Sequence, residues 1–204
     1  IDMINRYATR HVLQSKQMIM KNSANPSCEH FLDAKFFLNE ENPRLNCFLV
    51  NEDWNRIDIK NDSKTVIVGG KNVGKSALAQ YTINRNIEKF QKILLIDLDI
   101  GQQICGIAQT VSATVHTRPL IGAGYLNEIT PKKSMLYGDK SIMTVPHKYI
   151  ECVKQLLKFC AENEEYRNMP WIVNMMGYQK GFGLELTSVL LRLIQPTDVV
   201  QIQH

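Results

Sequence analysis

Polar and apolar positions fall into blocks along this chain, and the length and period of the blocks change at definable points. Residues 1–20 place apolar side chains at helical spacing among Arg, Gln and Lys, the pattern of one amphipathic helix. Residues 22–26 (NSANP) carry turn chemistry, and the stretch to about residue 50 mixes short apolar runs with Asn, Glu and Pro. From Lys64 the pattern becomes regular. An apolar β-branched run at 65–68 predicts a strand, 75–89 a helix, and 92–98 (KILLIDL) a second strand whose unbroken apolarity suits burial on both faces. Residues 100–124, rich in small residues and Gly, predict a loop with a short strand. Thr130 and Pro131 mark a turn, and the YGDKSIM stretch from Tyr137 predicts another short strand. Tyr149, Ile150, Val153, Leu156, Leu157 and Cys160 recur at helical spacing within 146–162. Pro170 then opens a strand (WIVNM), a glycine-bearing loop covers 177–183, LELTSVLLRLI forms a helix ended by Pro196, and VVQI is a last strand. Strands alternating with helices predict an α/β fold with a doubly wound, mostly parallel sheet, helices on both faces and right-handed crossovers. The expected organisation is the end of an N-terminal module plus connector over residues 1–60, and a folded core over 61–204.

Composition narrows the picture without redirecting it. The chain has 204 residues, 44% hydrophobic and 22% charged, which is the range of an ordinary globular protein with a sizeable core. No apolar run approaches the roughly 20 residues needed to span a bilayer, and the N-terminus is amphipathic rather than signal-like, so no membrane partner is expected. The five cysteines are scattered, odd in number and without a C-x-x-C pair. That argues for reduced thiols in an intracellular compartment, against a disulfide framework and against a zinc site. The five histidines lack metal-ligand spacing, and His116 with Arg118 reads as an exposed loop pair. A net charge of +4 tolerates a polyanionic partner but does not point to one. The chain opens on Ile and closes on an apolar strand, so a fragment of a longer protein is expected.

Residues 65–76 read TVIVGGKNVGKS, a strand run followed by Gly69-x-x-x-x-Gly74-Lys75-Ser76 and then a helix. This is the phosphate-binding loop pattern in its structural context, and it makes the predicted fold a P-loop NTPase. Gly69, Gly70 and Gly74 allow tight turns that aim backbone N–H groups at an anion, and Lys71, Asn72, Val73 and Ala77 complete the cradle at the helix N-terminus. Lys75 is placed to reach the β/γ-phosphates of a nucleoside triphosphate and Ser76 to ligate Mg²⁺. The second strand ends Asp97-Leu98-Asp99, where ligands sit in open α/β sheets. Two acids two residues apart share one side of an extended strand. One can hold the water shell of the metal, and the other can accept a proton from an attacking hydroxyl. The plainer reading of either acid alone is a turn cap.

GGKNVGKS, LLIDLDIGQ, Thr130-Pro131-Lys132-Lys133 and VNMMGYQKGFGLELTSVLLRLIQPTDVVQI, in that order over residues 60–204, resemble the eukaryotic RNA polynucleotide 5′-hydroxyl kinases. The closing segment, with Gly183-Leu184 and 195–201, is most similar to the nucleolar, pre-rRNA-processing branch. The resemblance implies transfer of the ATP γ-phosphate to the 5′-hydroxyl of RNA with Mg²⁺, a partner endonuclease or processing complex, and a nuclear, nucleolar location. It implies Asp99 as general base, Asp97 and Ser76 at Mg²⁺, and Gln102 placing metal or acceptor. It also implies Thr130 and Pro131 as a clasp over the phosphate loop, and the 174–178 segment, with Asn174, Gly177 and Tyr178, at the RNA end. The chain departs from the pattern where the family has Thr and Trp: it has Met175, which cannot donate to a phosphate, and Tyr178, which can still stack. The family's lid arginines are expected beyond residue 204. A nucleotide-bound scaffold without turnover is therefore the first rival, with Met175→Thr, made with the C-terminal remainder restored, as its test. A GTPase is disfavoured because the chain has no N-K-x-D motif.

Overall fold

The computed structural model describes residues 50–120, 129–178 and 180–202. The helix expected over 1–20 and most of the 1–60 segment lie outside these. The described residues fall almost wholly within a compact unit that begins at Trp54.

A short 3₁₀ turn, Glu52–Arg56, precedes the sheet. The strands are β1 (Lys64–Gly69), β2 (Ile93–Asp97), β3 (Thr110–His116), β4 (Lys133–Leu136), β5 (Trp171–Asn174) and β6 (Asp198–Ile202). The helices are α1 (Lys75–Phe90), α2 (Pro146–Glu162), the single-turn α3 (Glu164–Arg167) and α4 (Phe182–Ile194). The strands form one sheet in the order β4-β3-β2-β5-β1-β6. β1 pairs in parallel with β5 and β6, and β2 with β5, while β3 runs antiparallel to both β2 and β4. Five of the six strands thus share a direction, so the expected mostly parallel α/β sheet is present, with β3 as the reversed strand.

Alternate residues of the central strands face different helices. Val66, Val68, Leu94, Ile96, Trp171 and Val173 join one core with Tyr149, Val153, Leu156 and Cys160 of α2 and Leu186 and Leu190 of α4. Ile67, Ile93, Leu95 and Ile172 are equally buried at the intervening positions, and α1 packs on β1, β2 and β5 through residues such as Leu78 and Ile83. Burial on both faces is why these strands read as unbroken apolar runs.

The flank departs from the expected pattern. The 100–124 stretch contains a seven-residue strand, β3, whose Thr110, Ser112, Thr114 and His116 are all buried. The short strand expected within this stretch is thus present, with buried polar side chains at its alternate positions. His116, expected in an exposed loop, is wholly buried in β3, and burial pushes its imidazole down to about 4. The strand expected at YGDKSIM is instead a loop, and β4 lies just before it. Tyr137 organises that loop: its buried hydroxyl donates to the Ser141 carbonyl (2.9 Å) and accepts from the Val145 N–H (3.2 Å).

Candidate active site

The carboxyl ends of β1, β2 and β5 lie side by side, and β5 separates the two strands that carry the motifs. In the sheet register Asn174 stands beside Ile67 on one side and Asp97 on the other. The three loops that follow these strands line a cleft of about 830 Å³, together with residues 140–143.

The phosphate loop turns at Asn72 (φ 63°) and Gly74 (φ 100°), the left-handed region that glycine enters without steric cost. α1 begins at Lys75, directly after this turn, so its first N–H groups point at the cleft. Lys71, Asn72, Gly74, Lys75, Ser76 and Ala77 all line the cleft. Gly69 and Val73 lie behind it: a Cβ on Gly69 would stand 2.7 Å from Val73 Cγ2. Lys75 is nearly buried and donates to the Gly70 carbonyl at 2.7 Å. Burial lowers its ammonium pKa, opposed by the negative charges of Asp99 and Asp97.

The two acids sit in different environments. β2 stops at Asp97, so the alternation that would align them ends between them. Asp97 is 1% exposed, and its oxygens accept from the backbone N–H of Asp99 (3.1 Å) and Ile104 (2.7 Å) and from Asn174 Nδ2 (2.9 Å). Burial pushes its carboxyl up to about 7, against the pull of these donors. Asp99 lines the cleft, with Oδ1 accepting the Gly101 N–H at 3.0 Å. Below the strand end, Tyr149 of α2 donates to the Leu98 carbonyl at 2.8 Å.

Other site residues are also redistributed. Gln102 lines the cleft, whereas its neighbour Gln103 holds the loop: Nε2 donates to the Asp99 and Thr110 carbonyls (both 2.8 Å), and Oε1 accepts from Ser112 (2.7 Å). Gly177 and Tyr178 line the cleft, but Met175 does not; it is buried in the core beside Val173. Its departure from threonine therefore removes no donor from the cleft wall. Asn174 is fully buried between Ser76 and Asp97. Thr130 and Pro131 are not brought to the phosphate loop. β3 reverses the chain, so its His116 end stands beside Ile93 at the amino end of β2, and Thr130 with Lys132 lies there against Val115, Thr117 and Arg118. What does bear on the loop is Gly177. A Cβ there would stand 2.9 Å from Lys71 Cα and 3.2 Å from Lys75 Nζ.

Lys140, Ser141, Ile142 and Met143 were missed in the sequence. No motif marks them, and they reach the cleft only because β4 and the Tyr137 loop are folded back beside Gln109, whose carbonyl accepts from the N–H of Tyr137 and Gly138. Lys133, by contrast, rides over the Phe159 ring at 5.7 Å, away from the cleft. Among the described residues no group of three or more His, Cys, Asp or Glu could hold a metal by itself, and no helix is long and apolar enough to cross a membrane.

A glycine-turned loop at a helix N-terminus, a lysine, a serine and an acid-bearing strand end in one cleft define a P-loop phosphate-binding protein. Comparison with known proteins narrows that class. The profile of the family described as "mRNA cleavage and polyadenylation factor CLP1 P-loop" matches residues 69–204, and the chain belongs to this family. It is 43% identical over 153 residues to polynucleotide 5′-hydroxyl-kinase NOL9 of Drosophila melanogaster, covering 75% of this chain and 15% of that protein. It is 31% identical over 157 residues to the nol9 protein of the same description from Dictyostelium discoideum (76% and 22%). It is 32% identical over 136 residues to human NOL9 (67% and 19%). These matches support the branch expected from the closing segment. The chain spans only about a fifth of the length of these relatives. Among solved structures, a chain of a wild-type Clp1p–Pcf11p complex superposes with a TM-score of 0.57 at 22% identity, over 69% of this chain and 37% of that one, which shows the shared fold.

Proposed function

We propose that this chain is the phosphoryl-transfer core of an ATP- and Mg²⁺-dependent polynucleotide 5′-hydroxyl kinase that acts on RNA ends in rRNA processing, in the nucleolus. The observation that carries the reading is that Lys75, Ser76 and Asp99 open into one cleft large enough for a nucleoside triphosphate and the end of a strand. The names of the relatives supply the acceptor class.

The residues fit the groups the reaction needs. The loop N–H groups and Lys75 receive the phosphates, and Lys75 gains a stronger partner than the neutral Gly70 carbonyl it now holds. Ser76 is the metal-ligating hydroxyl, with Asp97 behind it through Asn174. Mg²⁺, when bound, neutralises charge on the transferring phosphoryl group. The 5′-hydroxyl oxygen attacks the γ-phosphorus in line, a new P–O bond forms, the bond to the bridging oxygen breaks, and ADP leaves. Asp99 takes the hydroxyl proton, because it is the acid that faces the cleft. Tyr178, exposed at the rim, offers a ring face to the terminal base, and Gln102 lies across the same opening. Met175, one of the two features that motivate the scaffold reading, stands outside the cleft.

The test is transfer of labelled γ-phosphate from ATP to a short 5′-hydroxyl RNA in Mg²⁺. Lys75→Ala is expected to lower transfer by at least about 10²–10³-fold, the scale of removing one preorganised charge-stabilising donor. Wild-type transfer that survives in Lys75→Ala would remove Lys75 from the mechanism, and intact ATP binding without transfer would favour the scaffold.

A further inference from the structure

Asn174 is the last residue of β5 and is wholly buried. Its Nδ2 donates to Asp97 Oδ1 at 2.9 Å and reaches Ser76 Oγ at 3.4 Å. The orientation of the amide follows from its neighbour. Asp97 Oδ1, as a carboxylate oxygen that accepts the Asp99 N–H, is complementary to the NH₂ end of Asn174. That leaves Asn174 Oδ1 buried with no hydrogen-bond partner among the described residues. Buried carbonyl oxygens are almost always paired, because removal from water without a donor costs the full desolvation of the group. Here the unpaired oxygen belongs to the same amide that joins the serine of the phosphate loop to the acid of β2.

We propose that Asn174 is a positioning residue for the metal half of the site. Its NH₂ holds Ser76 and Asp97 in register across β5, and its Oδ1 is an acceptor kept for a donor that enters with Mg²⁺ and nucleotide. The amide thereby links the start of α1, through Ser76, to the end of β2, through Asp97, from its own place at the end of β5. The inference rests on the nucleotide-binding reading above and assigns to metal-dependent affinity a residue that the family resemblance places at the RNA end.

The experiment measures binding of a fluorescent ATP analogue with Mg²⁺ and with EDTA, and binding of a 5′-hydroxyl oligonucleotide by anisotropy. It compares wild type with Asn174→Leu, which keeps the volume, and Asn174→Ser, which keeps a small polar group should the leucine variant not fold. The expected result is that the gain in nucleotide affinity conferred by Mg²⁺ falls about tenfold or more, the scale for residues that orient metal ligands, while affinity in EDTA stays within about twofold. Oligonucleotide binding is expected to stay unchanged. A full Mg²⁺ gain in a folded variant overturns the inference and leaves the kinase reading standing. Weakened oligonucleotide binding with the Mg²⁺ gain intact returns Asn174 to the RNA. A wild-type chain that binds no nucleotide overturns both readings.

Discussion

The parallel centre of the sheet and its antiparallel flank solve different problems with different residues. In the centre, β1, β2 and β5 are buried at every position but Lys64, and their chemistry is concentrated at and just beyond the carboxyl ends, in Ser76, Asp97, Asp99 and Asn174. In the flank, β3 buries a row of polar side chains along its length, and what it contributes to the cleft is a loop hung from Tyr137. The centre obtains precision from apolar packing, which leaves the few polar groups there with defined partners. The flank obtains its shape from hydrogen bonds such as those of Gln103 to Ser112, Asp99 and Thr110. A substitution at a cleft-facing position of the centre is therefore expected to change chemistry or ligand affinity, and one at a buried polar anchor, in the centre or along the flank, to change stability as well.

Exchanging the two acids for amides tests this contrast most strongly. Asp99→Asn is expected to lower phosphoryl transfer by about 10²–10⁴-fold, the usual range for loss of a general base, with nucleotide affinity retained. Transfer that persists would move the base role to Asp97. Asp97→Asn is expected to destabilise the fold by about 1–3 kcal/mol, measured by urea unfolding, because an NH₂ group would face donors that now have a carboxylate. An unchanged midpoint would mean that the buried acid is not a structural anchor.

A smaller effect is expected where β5 meets the phosphate loop. Gly177→Ala would place a methyl group 2.9 Å from Lys71 Cα, and the loop must shift to admit it. Nucleotide affinity is expected to fall about tenfold, with the unfolding midpoint nearly unchanged, since the loop is set by this close approach rather than by the core. Equal affinity would show that the loop yields freely.

The smallest effect belongs to the flank and depends on pH. His116 titrates at about 4 in the fold, below its ordinary 6.5, because burial disfavours the charged ring. The unfolded chain therefore takes up its proton first. This contribution to stability is complete above about pH 6.5 and is lost progressively as pH falls towards 4. The loss between pH 7 and 5.5 is about 1 kcal/mol, and His116→Phe is expected to remove that increment from the pH dependence of urea unfolding. An identical pH profile in the variant would place the titration elsewhere.

The legible parts of this protein are those where local order implies spatial order. The phosphate loop is contiguous, so Gly69 to Ala77 could be assigned to an anion from their spacing, and the loop does line the cleft from Lys71 to Ala77 apart from Val73. Unbroken apolar runs marked β1, β2 and β5 because strands covered on both faces have no polar side. Helical spacing marked α2 and α4 for the same kind of reason. Asp97 and Asp99 were both visible as candidates, but their separate places depend on where β2 stops, one residue short of the predicted end.

What the sequence by itself determined is the α/β class, the phosphate loop and the pair of acids, because each is written within a few consecutive residues. Tertiary structure alone decided the rest. Inserting β5 between β1 and β2 puts Asn174 between Ser76 and Asp97. Reversing β3 carries Thr130 and Pro131 to the far end of the sheet, and the Tyr137 loop brings residues 140–143 to the cleft. The physical reason is that strand order and direction bring together residues distant in the chain. Spacing along the sequence reports which side of an element a residue occupies, not which element lies beside it.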